Sequence, residues 1–507
     1  MAYLLTRNGY QVDIFEKGPG YPYPPSTRFQ EEILYGYENP AYRLQPDLQN
    51  LTVSGDYPGD LDKERALRVG GTATHWGAET PRMHPGDFAT RSRYGFGDDW
   101  ALTYDDLEPY YCEAERLLGV SGTDADNPFA PRRSRPYPLP PFELTDDDRF
   151  FAERLHEHGI VLHTTPQART RHPYEQRPAC MNFGACEVCP IGARYHPNYH
   201  LGQIVATGLC RLHANTSVRR LIADKAGRVR GLVYQPNDAL KERELGANVI
   251  IVAAGAIESA RLLLLSSLDR HSDGIQFGPH LGQNLMLHHA WYGRFRYKDA
   301  LSPKSLGPQT GTSHQFLDPP GRGRHGGIKV NFSDDFSVSQ NNPPIENAEE
   351  ATSTEIVERF REMRHWRTIG LQGETTPSPR KFVTLSQLHD RFGDPFAHVH
   401  YESTEFDHET YRFARQVFGK FAAGTNAQHK ELQRFEYYLS NAHHMGTCRM
   451  GPDLRDGVVD RFGRVHGTPN LFVIGGSCFA SSGALQPTLT MVALAVRSSV
   501  HIIHQAL

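Results

Sequence analysis

The sequence predicts an α/β fold built on a doubly wound parallel sheet, and three stretches carry that prediction. "VDIF" (12–15) is a short apolar strand behind an Asn8-Gly9 turn, and it ends on an acid, Glu16. "NVIIVAAGAIESARLLLLSS" (248–267) runs from a continuous apolar strand through a glycine turn into a helix. "NLFVIGG" (470–476) is a second strand into glycines, followed by a long helix from Pro487 to about Gln505. Continuous apolar runs of this length belong to strands buried on both faces, as in a parallel sheet. A lone strand ending on an acid says little. Three such units make the doubly wound fold the better reading.

The remaining elements follow in order. Residues 2–7 read as the end of a helix, and 17–60, rich in Pro, Gly, Tyr and Asp, as irregular backbone. "RALRVGGTATHWGAETPR" (65–82) is a Gly-Gly turn, then small residues, then His75-Trp76. "LTYDDLEPYYCEAERLLGV" (102–120) has an Asp-Asp start and the apolar spacing of a helix, and 121–145 is a Pro-rich connection. Residues 290–435 differ in character, with scattered aromatics, polar loops and weak alternation, and read as a separate α+β part with an antiparallel sheet. The division expected is one discontinuous domain from 1–120, 155–290 and 436–507, and a second from 121–154 and 291–435. Proline at the first turn of the last helix forfeits no hydrogen bond.

Composition narrows the function classes. A chain of 507 residues buries a substantial core, and its net charge of −4, without charge blocks, offers no electrostatic footprint for nucleic acid or a membrane surface. The longest apolar runs are too short to span a bilayer, and no secretory signal follows Met1. A cytoplasmic setting is favoured over a periplasmic one. Seven cysteines, an odd number spread over a large chain, argue against a disulfide scaffold.

Motifs then point to a family. "HHMGTCRMG" (443–451), "GVVDRFGRVHGTPNLFVIGGS" and "LQPTLTMVALAVR" at the C-terminal end, with "VGGTATHWG" (69–77), "CPIGAR" (189–194) and "VAAGAIESARLLL" (252–264), resemble the glucose–methanol–choline (GMC) oxidoreductases in order and over essentially the whole chain. The likeness is nearest to pyranose oxidases and FAD-dependent sugar dehydrogenase large subunits. It implies a Rossmann-like FAD-binding domain, a substrate-binding domain, and oxidation of a sugar or glycoside hydroxyl to a carbonyl by hydride transfer to FAD. Two alternatives are weighed: a dehydrogenase large subunit passing electrons to a cytochrome or small-subunit partner, and an inactive flavin-free remnant. The remnant reading comes from the opening stretch. The glycine-rich phosphate loop of a dinucleotide unit lies roughly 20 residues before the ribose-binding acid. From Glu16 that distance runs past Met1, so a start upstream of Met1 is the expectation and a remnant the alternative.

The resemblance also assigns residues. His443 is implied as the base that takes the hydroxyl proton, a role suited to an imidazole with an ordinary pKa of about 6.5. His444 is expected to be structural or substrate-facing. The partner of His443 is an Asn or His before a Pro-Thr helix start in the family; here it is Gln486, one methylene longer than Asn. His75 in "THW" matches a histidine that pyranose oxidases bond covalently to the flavin methyl group; the alternative is a histidine packing beside noncovalent FAD. Gly70 and Gly71 allow backbone to approach the flavin, and Glu16, Thr72, Thr74, Val218, Ala254, Gly255, Gly475, Gly476, Pro487 and Thr488 complete the implied cofactor contacts. Gly475 stands where many members have Asp, again the pyranose-oxidase pattern. Cys180, Cys186 and Cys189, spaced C-x₅-C-x₂-C, match a segment that holds an iron–sulfur cluster in some sugar dehydrogenases, with one residue fewer between the last two. A metal-free loop of soft thiols is the favoured reading there.

Overall fold

The computed structural model describes residues 1–24, 51–182, 189–268, 275–298, 310–333, 352–440 and 442–505. A helix, Ala2–Arg7, leads through the Asn8-Gly9 turn into strand Val12–Phe15, which pairs in parallel with Cys210–His213. Strand Ile250–Val252 pairs in parallel with Leu471–Val473, and each is followed by a glycine turn. Helix Gly255–Leu268 starts directly at its glycine, and the C-terminal helix spans Thr488–Gln505. Each of the three strand units of the sequence thus lies in a parallel pair. Pro487 stands just before the last helix rather than inside it: its carbonyl accepts from Met491 N at 2.9 Å, the first bond of the helix. A proline needs no N–H there.

Helix Tyr104–Leu118 begins where Thr103 accepts from the Asp106 amide and Asp106 reaches back to the Thr103 amide, a reciprocal cap. It ends on Gly119 in the left-handed region, and its apolar face packs against the C-terminal helix, where the Tyr111 hydroxyl meets Thr490 Oγ1 at 2.7 Å. Strands Thr216–Ala223, Val229–Pro236 and Arg243–Gly246 form an antiparallel sheet beside the parallel pairs.

The stretch 290–435, with its weak alternation, is rich in strands. Strands His289–Arg296, Gly311–Ser313, Ile328–Ser333, Trp366–Gly373 and His429–Leu432 join His163–Thr164 in a six-stranded antiparallel sheet, covered by helix Glu405–Gly424. Alternation is faint because Trp366–Gly373 is buried on nearly every residue, on both faces. Strands Lys381–His389 and Pro395–Tyr401 form a different sheet with Leu51–Gly55 and pack on helix Gly255–Leu268. A continuous apolar cluster joins that helix, through Ile257 and Ala260, to Trp291, Val330 and Leu371 of the large sheet. This packing brings the C-terminal motifs against the antiparallel sheet. Among the described residues no helix is long and apolar enough to cross a membrane.

Candidate active site

The "HHMGTCRMG" stretch is threaded between two other segments. His444–Met445 pairs antiparallel with Met286–Leu287 on one side. On the other, the Gly446 and Cys448 amides donate to the Gly476 and Ser477 carbonyls, both at 2.9 Å. Gly446 has φ +82°, and a Cβ there would lie 2.0 Å from the Asn284 carbonyl oxygen, so only glycine fits. Thr447 Oγ1 donates to the Ala256 carbonyl at 2.7 Å, tying the motif to the first turn of helix Gly255–Leu268. Gly476 is likewise pressed on the His444 carbonyl, which a Cβ would meet at 2.5 Å. The adjoining loop, 482–486, is held at alternate residues by the antiparallel sheet and the segment that follows strand Trp366–Gly373. Ser482 Oγ accepts from the Thr375 amide at 3.0 Å, Gln372 Nε2 donates to the Ala484 carbonyl at 2.9 Å, and Lys329 Nζ donates to Gln486 Oε1 at 2.8 Å.

His443 is tied through His288 to the same loop that carries Gln486. His443 Nδ1 lies 2.9 Å from His288 Nδ1, and His288 Nε2 lies 3.0 Å from the Gly483 carbonyl oxygen. A carbonyl only accepts, so His288 carries its proton on Nε2. Burial pulls His288 down to about 4, so its ring is neutral near pH 7 and Nδ1 holds a lone pair. His443 Nδ1 must then be the donor. Burial first, then the charges of His288, Lys329 and His444, holds His443 well below its ordinary value. A neutral imidazole protonated on Nδ1 leaves Nε2 as a proton acceptor. His444 is turned to other partners: its Nε2 lies 3.0 Å from Glu64, which also takes the hydroxyls of Tyr57 and Ser440.

The resemblance did not single out His288, Lys329 or Glu79. His288 sits in a second His-His pair, "LHHA", whose partner His289 is buried against Tyr438, with ring centroids 3.8 Å apart. Lys329 interrupts the apolar strand "GIKVNF" at a fully buried position and pairs with Glu79. A lysine within an apolar strand is the signal by which it could have been found, since lysine is almost never fully buried unpaired.

The cofactor residues fall into two groups. Gly70 is left-handed, and a Cβ there would meet Asn198 Oδ1 at 2.7 Å; Asn198 Nδ2 in turn holds the Tyr21 and Val69 carbonyls. Gly71–Thr74 is a short 3₁₀ turn ending on His75, which is buried. Thr72 Oγ1 accepts from the Ala66 amide at 3.3 Å, tying the turn to the segment before it. Arg194 donates to the Thr74 and Trp76 carbonyls at 2.8 and 2.9 Å, fixing the backbone on both sides of His75. Burial, then Arg194 and Arg68, brings His75 down to about 3. In the second group, burial pushes Glu16 up to about 7 at the end of its strand. The Thr216 amide donates to the Glu16 carbonyl at 2.9 Å, which brings the strand bearing Val218 alongside. Ala254 and Gly255 are exposed where strand turns to helix, Gly475 follows the parallel partner strand, and Pro487-Thr488 opens the last helix.

These residues fit FAD on two observations. Gly71, Gly255 and Gly475 all have φ between +58° and +94°, and a Cβ on any of them would meet nothing within 4 Å, so each leaves open space beside its backbone. Two of them lie at the carboxyl ends of parallel strands, where nucleotides bind in doubly wound folds. Thr74 Oγ1, buried beside His75, has no hydrogen-bond partner among the described residues. Cys180 and Cys189 are free and partly exposed, while Cys186 lies outside the described residues, and with it the cluster expectation.

Comparison with known proteins gives the family. Family models described as GMC oxidoreductase match residues 162–290 and 377–495. The fructose dehydrogenase large subunit of Gluconobacter japonicus is 30% identical over 98% of this chain and 94% of its own length. The 2-methyl-1,2-propanediol dehydrogenase of Mycolicibacterium austroafricanum is 27% identical over 98% and 92%. The pyridoxine 4-oxidase structure from Mesorbium loti superposes with a TM-score of 0.65 at 19% identity, covering 99% of this chain and 96% of that one. The chain belongs to the GMC oxidoreductase family of flavoenzymes and is an oxidoreductase acting on CH–OH donors.

Proposed function

We propose that the chain oxidises a hydroxyl of a sugar or glycoside, with His443 Nε2 taking the hydroxyl proton and Gln486 holding the hydroxyl oxygen. The hydrogen-bond chain from the Gly483 carbonyl through His288 to His443 carries this reading, because it leaves a neutral imidazole with one nitrogen free to accept. As the proton leaves, the carbon–oxygen bond gains double-bond character and the C–H electron pair departs as hydride. FAD, when bound, supplies the two-electron acceptor for that hydride. Glu16 and Val218 would hold its nucleotide end, Ala254, Gly255, Gly475 and Gly476 its middle, and the Gly70–His75 turn with Pro487-Thr488 the ring end. His75, kept neutral and fixed by Arg194, is suited to a covalent bond to the ring. The substrate class is supported by the fructose dehydrogenase relative. That relative is a large subunit by name, while other relatives are named oxidases, so a partner protein and oxygen both stand as electron acceptors for this reading.

The test is anaerobic flavin reduction against a panel of ketoses, aldoses and glycosides, followed by absorbance. Reduction by a sugar, with its carbonyl product identified, is the expected result. Reduction only by non-carbohydrate alcohols would overturn the substrate class.

A further inference from the structure

We propose that Lys329 is a positioning residue for this oxidation: its ammonium holds the Gln486 amide oxygen, so that the amide N–H₂ is the donor left for the substrate oxygen. The proposal rests on the oxidation reading above and adds a residue that the family motifs do not contain. A primary amide can present either its oxygen or its nitrogen to a substrate. An ammonium has donors only, so Lys329 Nζ at 2.8 Å from Gln486 decides which end faces it. The oxygen is engaged and the nitrogen remains. Donors at that place suit an oxygen becoming an alkoxide as its proton leaves for His443. The flexible, longer Gln therefore does what a shorter Asn does by reach alone, because a second side chain anchors it.

Lys329 is itself rigidly held. It is fully buried in strand Ile328–Ser333, between Ile328 and Val330, and its strand neighbour across the ladder is Gln372, which clamps the Ala484 carbonyl. Glu79 pairs with the same ammonium. Sheet and loop thus meet at Lys329–Gln486 and Gln372–Ala484, two residues apart on the loop. The groups facing His443 are His288, His444, itself paired to Glu64, and the Lys329 charge. A positive charge there disfavours the imidazolium, so Lys329 also keeps the base unprotonated toward lower pH.

The experiment is a double-mutant cycle on the flavin-loaded enzyme, reading anaerobic flavin reduction across pH, with flavin absorbance and thermal melting recorded for every variant. Lys329→Met and Gln486→Leu should each slow reduction by about 10²-fold, the effect of displacing a substrate by roughly an ångström. The double variant should be no slower than either alone, because both changes remove one device. In Lys329→Met the acid limb of the pH profile should move to higher pH; in Lys329→Arg, which keeps the charge, it should stay. If Glu79 left unpaired prevents folding of Lys329→Met, the pair Glu79→Gln/Lys329→Met takes its place in the cycle. Multiplicative losses in the double variant, or near-wild-type reduction and an unmoved limb in Lys329→Met, would overturn the proposal. Failure of the wild type to be reduced by any CH–OH donor would instead overturn the oxidation reading itself.

Discussion

His288 and His443 meet nitrogen to nitrogen, Nδ1 to Nδ1 at 2.9 Å, and only one of the two can supply the proton between them. The Gly483 carbonyl on the far side of His288 makes the choice. Strand His289–Arg296, an inner strand of the large antiparallel sheet, starts at the next residue, so that sheet positions the group that fixes the tautomer of a residue from the C-terminal motif.

Replacing His288 by Leu should free the His443 ring to turn and change tautomer. Flavin reduction by the donor should fall by about 10²-fold, the penalty of a misplaced catalytic group. Flavin content should be unchanged, because the hydrogen bonds of His288 run to His443 and the Gly483 carbonyl and not to Gly71, Gly255 or Gly475. Stopped-flow reduction with bound flavin measured by absorbance checks both halves of this expectation.

His443→Ala should lower the reduction rate by about 10²- to 10⁴-fold, the usual contribution of a positioned general base. The pH profile of the wild type carries further information. A base works when unprotonated, and His443 is held well below 6.5 by burial, by His288, by Lys329 and by His444. The rate should therefore be flat through neutral pH and fall only in acid. A limb centred near 6.5 would mean that His443 titrates as an ordinary exposed histidine.

Acid should unfold this protein through its buried imidazoles. Burial lowers His75, His196 and His289 to about 3, and His163, His200 and His288 to about 4, from 6.5. Each is charged in the unfolded chain before it is charged in the folded one. The unfolded state then binds more protons, so stability is complete above pH 6.5 and is lost as pH falls toward 3 to 4. Glu16 acts in the opposite sense: raised from 4.5 to about 7, its contribution is present below 4.5 and lost as pH rises through 7. One carboxyl against several imidazoles leaves the acid side weaker. The melting temperature, recorded from pH 8 down to 4, should drop steadily below about 6.5.

The His75 attachment is read directly. After acid precipitation the flavin should stay with the polypeptide in the wild type and pass to the supernatant in His75→Ala. Complete loss of flavin from the wild-type precipitate would show that His75 only packs beside the cofactor.

Much of this protein is written locally. The parallel strands, the glycine turns after Val252 and Val473, the capped helix after Thr103 and the C-terminal motifs depend on neighbours a few residues away, and periodicity, turn chemistry and capping are properties of short windows. His443 and Gln486 were named by the family resemblance, since each lies inside a contiguous motif. The antiparallel sheet was fainter, because strands buried on both faces lose the alternation that marks a half-exposed strand. What acts on the two motif residues could not be read that way. His288 lies 155 residues from His443, and Lys329 lies 157 from Gln486. Their meeting depends on the packing of the large sheet against the 482–486 loop, and so do the tautomer of the base and the orientation of the amide. Hydrogen-bond polarity belongs to a pair of groups, never to one residue, and only the tertiary structure chooses the pair.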